Sequence, residues 1–90
     1  MLERLEEIVD QRLRDRPPGS YTARLAEGGL PLVARKVGEE AVETLVEALG
    51  GSRERLVEEA ADLLYHLIVM LRLRGVSVRE VLGELGRRMG

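Results

Sequence analysis

The sequence predicts an all-α fold: a helical bundle of four to five helices built around a central antiparallel hairpin and completed by dimerisation. Three observations carry that prediction. Apolar residues recur at three- and four-residue spacing along most of the chain. Gly and Pro fall at the ends of these periodic segments, and no segment alternates apolar and polar residues with the period of two that a half-buried strand requires.

Leu2, Leu5, Val9 and Leu13, with Ile8 beside them, predict a first helix that stops at Pro17-Pro18-Gly19. Ser20-Tyr21-Thr22 opens a short second helix that runs through Leu25 and is broken at Gly28-Gly29. Pro31 suits the first turn of a third helix, because its missing N–H would be unpaired there in any case. That helix reaches Leu49 and ends at Gly50-Gly51. Ser52 caps a fourth helix that continues to Arg74 and stops at Gly75. Ser77 and Glu80 form a capping box for a last helix towards Arg88.

Ninety residues form one domain, 1–90, and bury only roughly 60–65% of the unfolded chain's surface. Phe and Trp are absent and Tyr occurs twice, so the core must be built from Leu, Val, Ile and Ala. A small aliphatic core with long amphipathic segments predicts burial against a second copy, hence a homodimer. The net charge is −2, with thirteen Arg, one Lys and sixteen interspersed acids, so there is no broad basic field for nucleic acid. Without cysteine there are no disulfides and no thiolate chemistry. The N-terminus has no signal-peptide apolar region, and the longest apolar run, Leu67 to Leu71, is too short to cross a membrane. A soluble, cytoplasmic protein is expected. The lack of Asn and the single Gln fit a heat-adapted chain.

The chemistry lies in the hairpin. Glu40 and Glu43 precede the Gly50-Gly51 turn, and Glu59 and Asp62 follow it. Residues three apart share a helix face. In an antiparallel hairpin position 40 therefore faces 62 and position 43 faces 59. Around Glu59 and Asp62 the fourth helix is apolar on nearly every other side, which predicts a buried helix with Asp62 in its interior. Four carboxylates converging in such a place repel unless a hard cation lies between them. The alternative is a solvated acidic face, since Glu makes up thirteen of the ninety residues. An all-oxygen donor set disfavours zinc and suits Mg2+, with Mn2+ as a substitute, ions that bind through carboxylates together with substrate phosphates. Lys36, the one lysine, lies a helical turn before Glu40 and supplies a compact cation for phosphate, or else an ion pair with Glu40. His66 lies one turn beyond Asp62, oriented by it or simply packed in the core.

Lys36-Val37-Gly38-Glu39-Glu40-Ala41-Val42-Glu43 and Glu59-Ala60-Ala61-Asp62-Leu63-Leu64-Tyr65-His66 resemble the all-α nucleoside triphosphate pyrophosphohydrolases related to MazG. Within them, Ser20-Tyr21-Thr22-Ala23-Arg24-Leu25 and Asp62 to Leu67 resemble the phosphoribosyl-ATP pyrophosphohydrolase family, and the resemblance covers residues 1 to 88. It implies hydrolysis of phosphoribosyl-ATP to phosphoribosyl-AMP and pyrophosphate, the second step of histidine biosynthesis, by a stand-alone enzyme. It also implies that Glu40, Glu43, Glu59 and Asp62 are the magnesium ligands, and that Glu39 is a further ligand or activates water. Lys36 and Arg24 would contact phosphates, and Tyr21 and Thr22 would position the phosphoribosyl nucleotide. Two readings compete with this one: a house-cleaning pyrophosphohydrolase acting on (d)NTPs with the same metal site, and a non-catalytic helical dimerisation module.

Overall fold

A computed structural model describes residues 1–90. It contains four helices, α1 (Leu2–Asp15), α2 (Tyr21–Gly50), α3 (Arg53–Leu73) and α4 (Val78–Met89), and no strand. The two helices expected on either side of Gly28-Gly29 form one element, α2, interrupted at Gly29. There φ is 83° and ψ is 174°, a conformation open to glycine because it has no Cβ. Pro31 follows two residues later, in the first turn of the long second half of α2, where its missing N–H costs nothing.

The Ser52 and Ser77 caps sit where the sequence put them, and Ser20 supplies a further cap. Ser20 Oγ accepts from the Ala23 amide at 3.2 Å, and Ser52 Oγ accepts from the Arg55 amide at 3.1 Å. At α4 the capping box is complete: Ser77 Oγ accepts from the Glu80 amide at 3.1 Å, and Glu80 Oε2 accepts from the Ser77 amide at 2.8 Å. Helix α1 ends on Arg16, which adopts a left-handed conformation before the two prolines. The short Gly51-Ser52 link folds α3 back along α2, which makes these two helices an antiparallel hairpin.

The core gathers at one end of this hairpin. Val9 of α1, Leu25 and Val33 of α2, Ile68 and Val69 of α3, and Val78 of α4 are buried together, flanked by Leu2, Leu5, Leu13, Tyr65, Met70 and Leu73. Two polar ties fasten the outer helices. Arg72 Nε donates to Asp10 Oδ1 at 2.8 Å, joining α3 to α1, and Glu6 Oε1 accepts from the Val78 amide at 2.6 Å, joining α4 to α1.

The other end of the hairpin projects. The radius of gyration is 14.1 Å, against about 12 Å for a compact domain of this length. Along α2 the apolar stripe enters the core at Val33 but leaves it further on, where Leu45 is 61% and Leu49 is 89% exposed. Val42, Val46 and Val57 are also more than half exposed. This corrects one expectation. Helix α3 is not buried all round: only His66, Ile68 and Val69 are buried, and Ala60, Ala61 and Asp62 are exposed. The chain has only two further helices, and both pack at the core end, so nothing in it covers the outer face of α3.

Candidate active site

Pro31 sets the phase of the second half of α2, and its 3.6-residue period brings Glu40 and Glu43 to one face. The antiparallel return brings Glu59 of α3 opposite them. One carboxylate oxygen from each of Glu40, Glu43 and Glu59 lies within 4.8 Å of the other two. No basic side chain sits among them. Glu40 Oε2 and Glu59 Oε2 are shielded from solvent and have no hydrogen-bond donor. Carboxylate oxygens buried without donors are costly and call for a cation or a proton.

The titration behaviour follows from this crowding. Glu59 is pushed up to about 7, chiefly because its carboxyl can sit hydrogen-bonded beside Glu43 only by holding a proton. Burial adds to the shift, as do the charges of Glu43, Glu40 and Asp62. Glu40 is also raised, first by burial and then by its hydrogen bond with Glu43 and the charges of Glu43 and Asp62, with His66 acting in the opposite sense.

Asp62 is placed differently from its expected position. Its side chain is exposed and its oxygens fall outside the three-carboxylate cluster, although its charge reaches Glu40, Glu59 and Tyr21. The aspartate side chain is one methylene shorter than glutamate, so it reaches less far from α3 than Glu59 does. Lys36 Nζ lies 3.9 Å from Glu39 Oε1, so its ion-pair partner is Glu39, one position from the expected Glu40. Glu39 is exposed and stands outside the cluster.

On the core side of the acids, the start of α2 meets α3 through two consecutive pairs. Tyr21 Oη lies 2.7 Å from His66 Nε2, and the Thr22 hydroxyl bonds to the Tyr65 hydroxyl. His66 Nδ1 lies 2.7 Å from the Asp62 carbonyl oxygen. Asp62 thus orients His66, as its spacing indicated, but through its backbone. Thr22 is fully buried, so its hydroxyl holds the helices together and does not open to solvent. Tyr21 is partly exposed, with the Arg24 guanidinium 5.7 Å from the centre of its ring. Burial and then the charge of Glu40 raise the Tyr21 phenol above its ordinary value, so it stays protonated at neutral pH. On the far side of the acids, Val42, Glu43, Val46, Glu47, Arg55 and Glu59 line a depression of about 290 Å³. Its valines were not singled out in the sequence, where they read only as further apolar positions of a helix.

Acids without cations among them, a tethered tyrosine, and Arg24 and Lys36 nearby in the same elements make a site suited to a polyphosphate brought in with a metal ion. The family model described as Phosphoribosyl-ATP pyrophosphohydrolase matches residues 2–89. The chain belongs to this family. Similar members of the phosphoribosyl-ATP pyrophosphohydrolase family include a phosphoribosyl-ATP pyrophosphatase of Pyrobaculum calidifontis, 61% identical over 99% of this chain and 95% of the relative. One of Metallosphaera sedula is 58% identical over 99% of this chain and 96% of the relative. Another, of the bacterium Erythrobacter litoralis, is 55% identical over 99% and 86%. The family match spans both acidic elements and the Tyr21–His66 contact, so the whole site lies inside it.

Proposed function

We propose that this chain hydrolyses the α–β phosphoanhydride of phosphoribosyl-ATP, releasing phosphoribosyl-AMP and pyrophosphate in the second step of histidine biosynthesis. The observation that carries this reading is the family match over residues 2–89, which contains a cluster whose buried oxygens lack donors. Glu40, Glu43 and Glu59, with Asp62 beside them, would hold Mg2+, for which Mn2+ would substitute; the two orphaned oxygens and the all-oxygen donor set fit such an ion. Bound there, the ion supplies charge neutralisation along the phosphate chain and stabilises the departing pyrophosphate.

The remaining roles belong to the side chains around the cluster. Lys36 and Arg24 bind phosphate oxygens. Glu39, beside Lys36, takes the proton of the attacking water. Tyr21 positions the substrate from the core side, and Thr22 does so indirectly by fixing the first turn of α2 against Tyr65. The chain works as a single cytoplasmic domain and pairs with a second copy through Val42, Leu45, Val46, Leu49 and Val57. That burial would remove an exposed apolar face of a kind that monomers seldom carry.

Pyrophosphate release from phosphoribosyl-ATP, measured with and without Mg2+ and against dCTP, tests the reading. Metal-dependent release with phosphoribosyl-ATP strongly preferred is expected. Preference for dCTP would turn the assignment to a house-cleaning enzyme, and no release from either would leave a dimerisation module.

A further inference from the structure

Of the four cavities in the structure, only the depression of about 290 Å³ beyond the acids is lined by members of the cluster, Glu43 and Glu59. Val42 and Val46 form its apolar wall. The helical period sets these valines on the border between the acidic row and the stripe of Leu45 and Leu49. Each therefore turns one side to the depression and the other to the stripe along which a second copy would pack. At the outer end stand two unlike charges, Glu47 and Arg55, neither of which belongs to the cluster. Both continue rows that helical spacing draws through it: Lys36, Glu40, Glu43 and Glu47 along α2, and Arg55, Glu59 and Asp62 along α3.

The two charges are held unequally. The Glu47 side chain is only 16% exposed, and it packs against Gly51 so closely that a Cβ there would strike its carboxylate. Arg55 is fixed at its backbone by the Ser52 cap, but its guanidinium is 72% exposed and meets Glu47 only at 3.9 Å. A fixed acceptor beside a donor free to reorient suits a ligand edge that carries a donor and an acceptor side by side. The valines offer apolar contact to a flat ring beneath that edge. A phosphate chain is disfavoured here, because three carboxylates line the depression against one guanidinium. The volume is near the lower end for small-ligand sites, about 300 Å³, which suits a base with its sugar and leaves the phosphates over the acids.

We infer that the nucleotide lies along the hairpin with its adenine in this depression, its phosphates over the acids and its departing pyrophosphate towards Lys36 and Arg24. Glu47 and Arg55 are then the residues that select the base. Glu47 accepts from the exocyclic amine, and Arg55 donates to the neighbouring ring nitrogen. An oxygen in place of that amine would meet the Glu47 carboxylate lone pair to lone pair, so an oxopurine is rejected. Lys36 and Glu47 lie about 16 Å apart along α2, a length comparable to an extended nucleoside triphosphate. The inference rests on the proposed reaction for the identity of the nucleotide, though not for the shape and charge of the depression.

Metal-free protein and nucleosides without phosphate separate base binding from turnover. Adenosine should shift the methyl NMR signals of Val42 and Val46. Inosine, which carries an oxygen in place of the amine, should bind roughly tenfold more weakly, as expected for one hydrogen bond to a charged group. Inorganic pyrophosphate should leave both valines unmoved. In Glu47→Gln the amide can donate to that oxygen as readily as its carbonyl accepts from the amine, so the preference for adenosine should collapse. In steady-state kinetics, Arg55→Ala should raise KM for phosphoribosyl-ATP roughly tenfold, with kcat and the half-saturating Mg2+ concentration nearly unchanged. No adenosine shift at the valines, equal binding of adenosine and inosine, or a wild-type KM in Arg55→Ala overturns the inference. If Glu47→Gln disturbs the Gly51 turn and fails to fold, the two nucleosides and Arg55→Ala still decide. A wild type that binds adenosine at the valines but does not hydrolyse phosphoribosyl-ATP would sink the proposed reaction and keep the base site. Hydrolysis without any shift at the valines would keep the reaction and sink the base site.

Discussion

Glu59 offers a direct test of whether the three glutamates form a cation site or an indifferent acidic surface. In the metal-free protein its carboxyl titrates at about 7 against an ordinary value of 4.5. Because the folded value is the higher one, the protonated form favours folding. That contribution is fully present below about pH 4.5 and is lost as the pH rises through about 7. Metal-free protein should therefore melt at a lower temperature at pH 8 than at pH 5.5. A cation that displaces the proton should reverse this. With pKa near 7, about nine-tenths of a proton is held at pH 6 and about one-tenth at pH 8, so Mg2+ binding should release close to one proton at the lower pH and almost none at the higher. Calorimetry in two buffers of different ionisation enthalpy counts that proton. At a hundredfold excess over its dissociation constant, the ion should stabilise the fold by about 2.7 kcal/mol, a rise of roughly 10–20 °C in Tm for a domain of this size. Glu59→Gln removes the repelling charge and the ligand together. It should flatten the pH dependence of the metal-free melting curve and abolish the Mg2+ shift. A wild-type Tm that is level between pH 5.5 and 8, or a Glu59→Gln variant with the full Mg2+ shift, would refute the reasoning.

The other predictions address residues around the cluster. Asp62→Asn should abolish pyrophosphate release while leaving the metal-free Tm unchanged or higher, because a charge acting on Glu40 and Glu59 is deleted; activity within threefold of wild type at saturating Mg2+ would remove Asp62 from the ligand set. Lys36→Arg should lower kcat/KM tenfold or more, about 1.4 kcal/mol of transition-state binding, with no change in Tm. The 3.9 Å contact of Lys36 with half-exposed Glu39 contributes too little to matter, so wild-type kinetics would reduce Lys36 to a surface ion pair. Leu45→Glu places a charge on the exposed stripe of α2 and, if the wild type sediments as the proposed dimer, should convert it into monomer; an unchanged sedimentation coefficient would locate the interface elsewhere.

The helix boundaries were legible because each is written in local chemistry. Ser52 and Ser77 cap the helices they precede, and Gly29 breaks α2 where two glycines interrupt the apolar period. The convergence of Glu40, Glu43 and Glu59 was legible for a similar reason, since helical period and hairpin symmetry fix the level at which residues meet. Asp62 shows where such reasoning ends. The apolar perimeter of α3 implied burial, but periodicity reports which faces are apolar and not what covers them. The contacts of Tyr21 with His66 and of Thr22 with Tyr65 span 45 and 43 residues, and no spacing rule reaches across a kinked helix and a turn to pair them.

The same division explains why a chain this small can keep acids packed together. The core of Val9, Leu25, Val33, Ile68, Val69 and Val78 lies entirely at one end of the hairpin, and the carboxylates lie beyond it. Repulsion among Glu40, Glu43 and Glu59 then acts to splay the projecting end of α2 and α3, not to loosen the packed end. The pairs made by Tyr21 and Thr22 stand between the two regions and clamp the start of α2 to α3. A splaying force on an end held this way is relieved by whatever binds between the helices. The instability of the metal-free cluster is thus the same free energy that favours the cation, and removing the clamp should weaken cation binding as well as substrate placement.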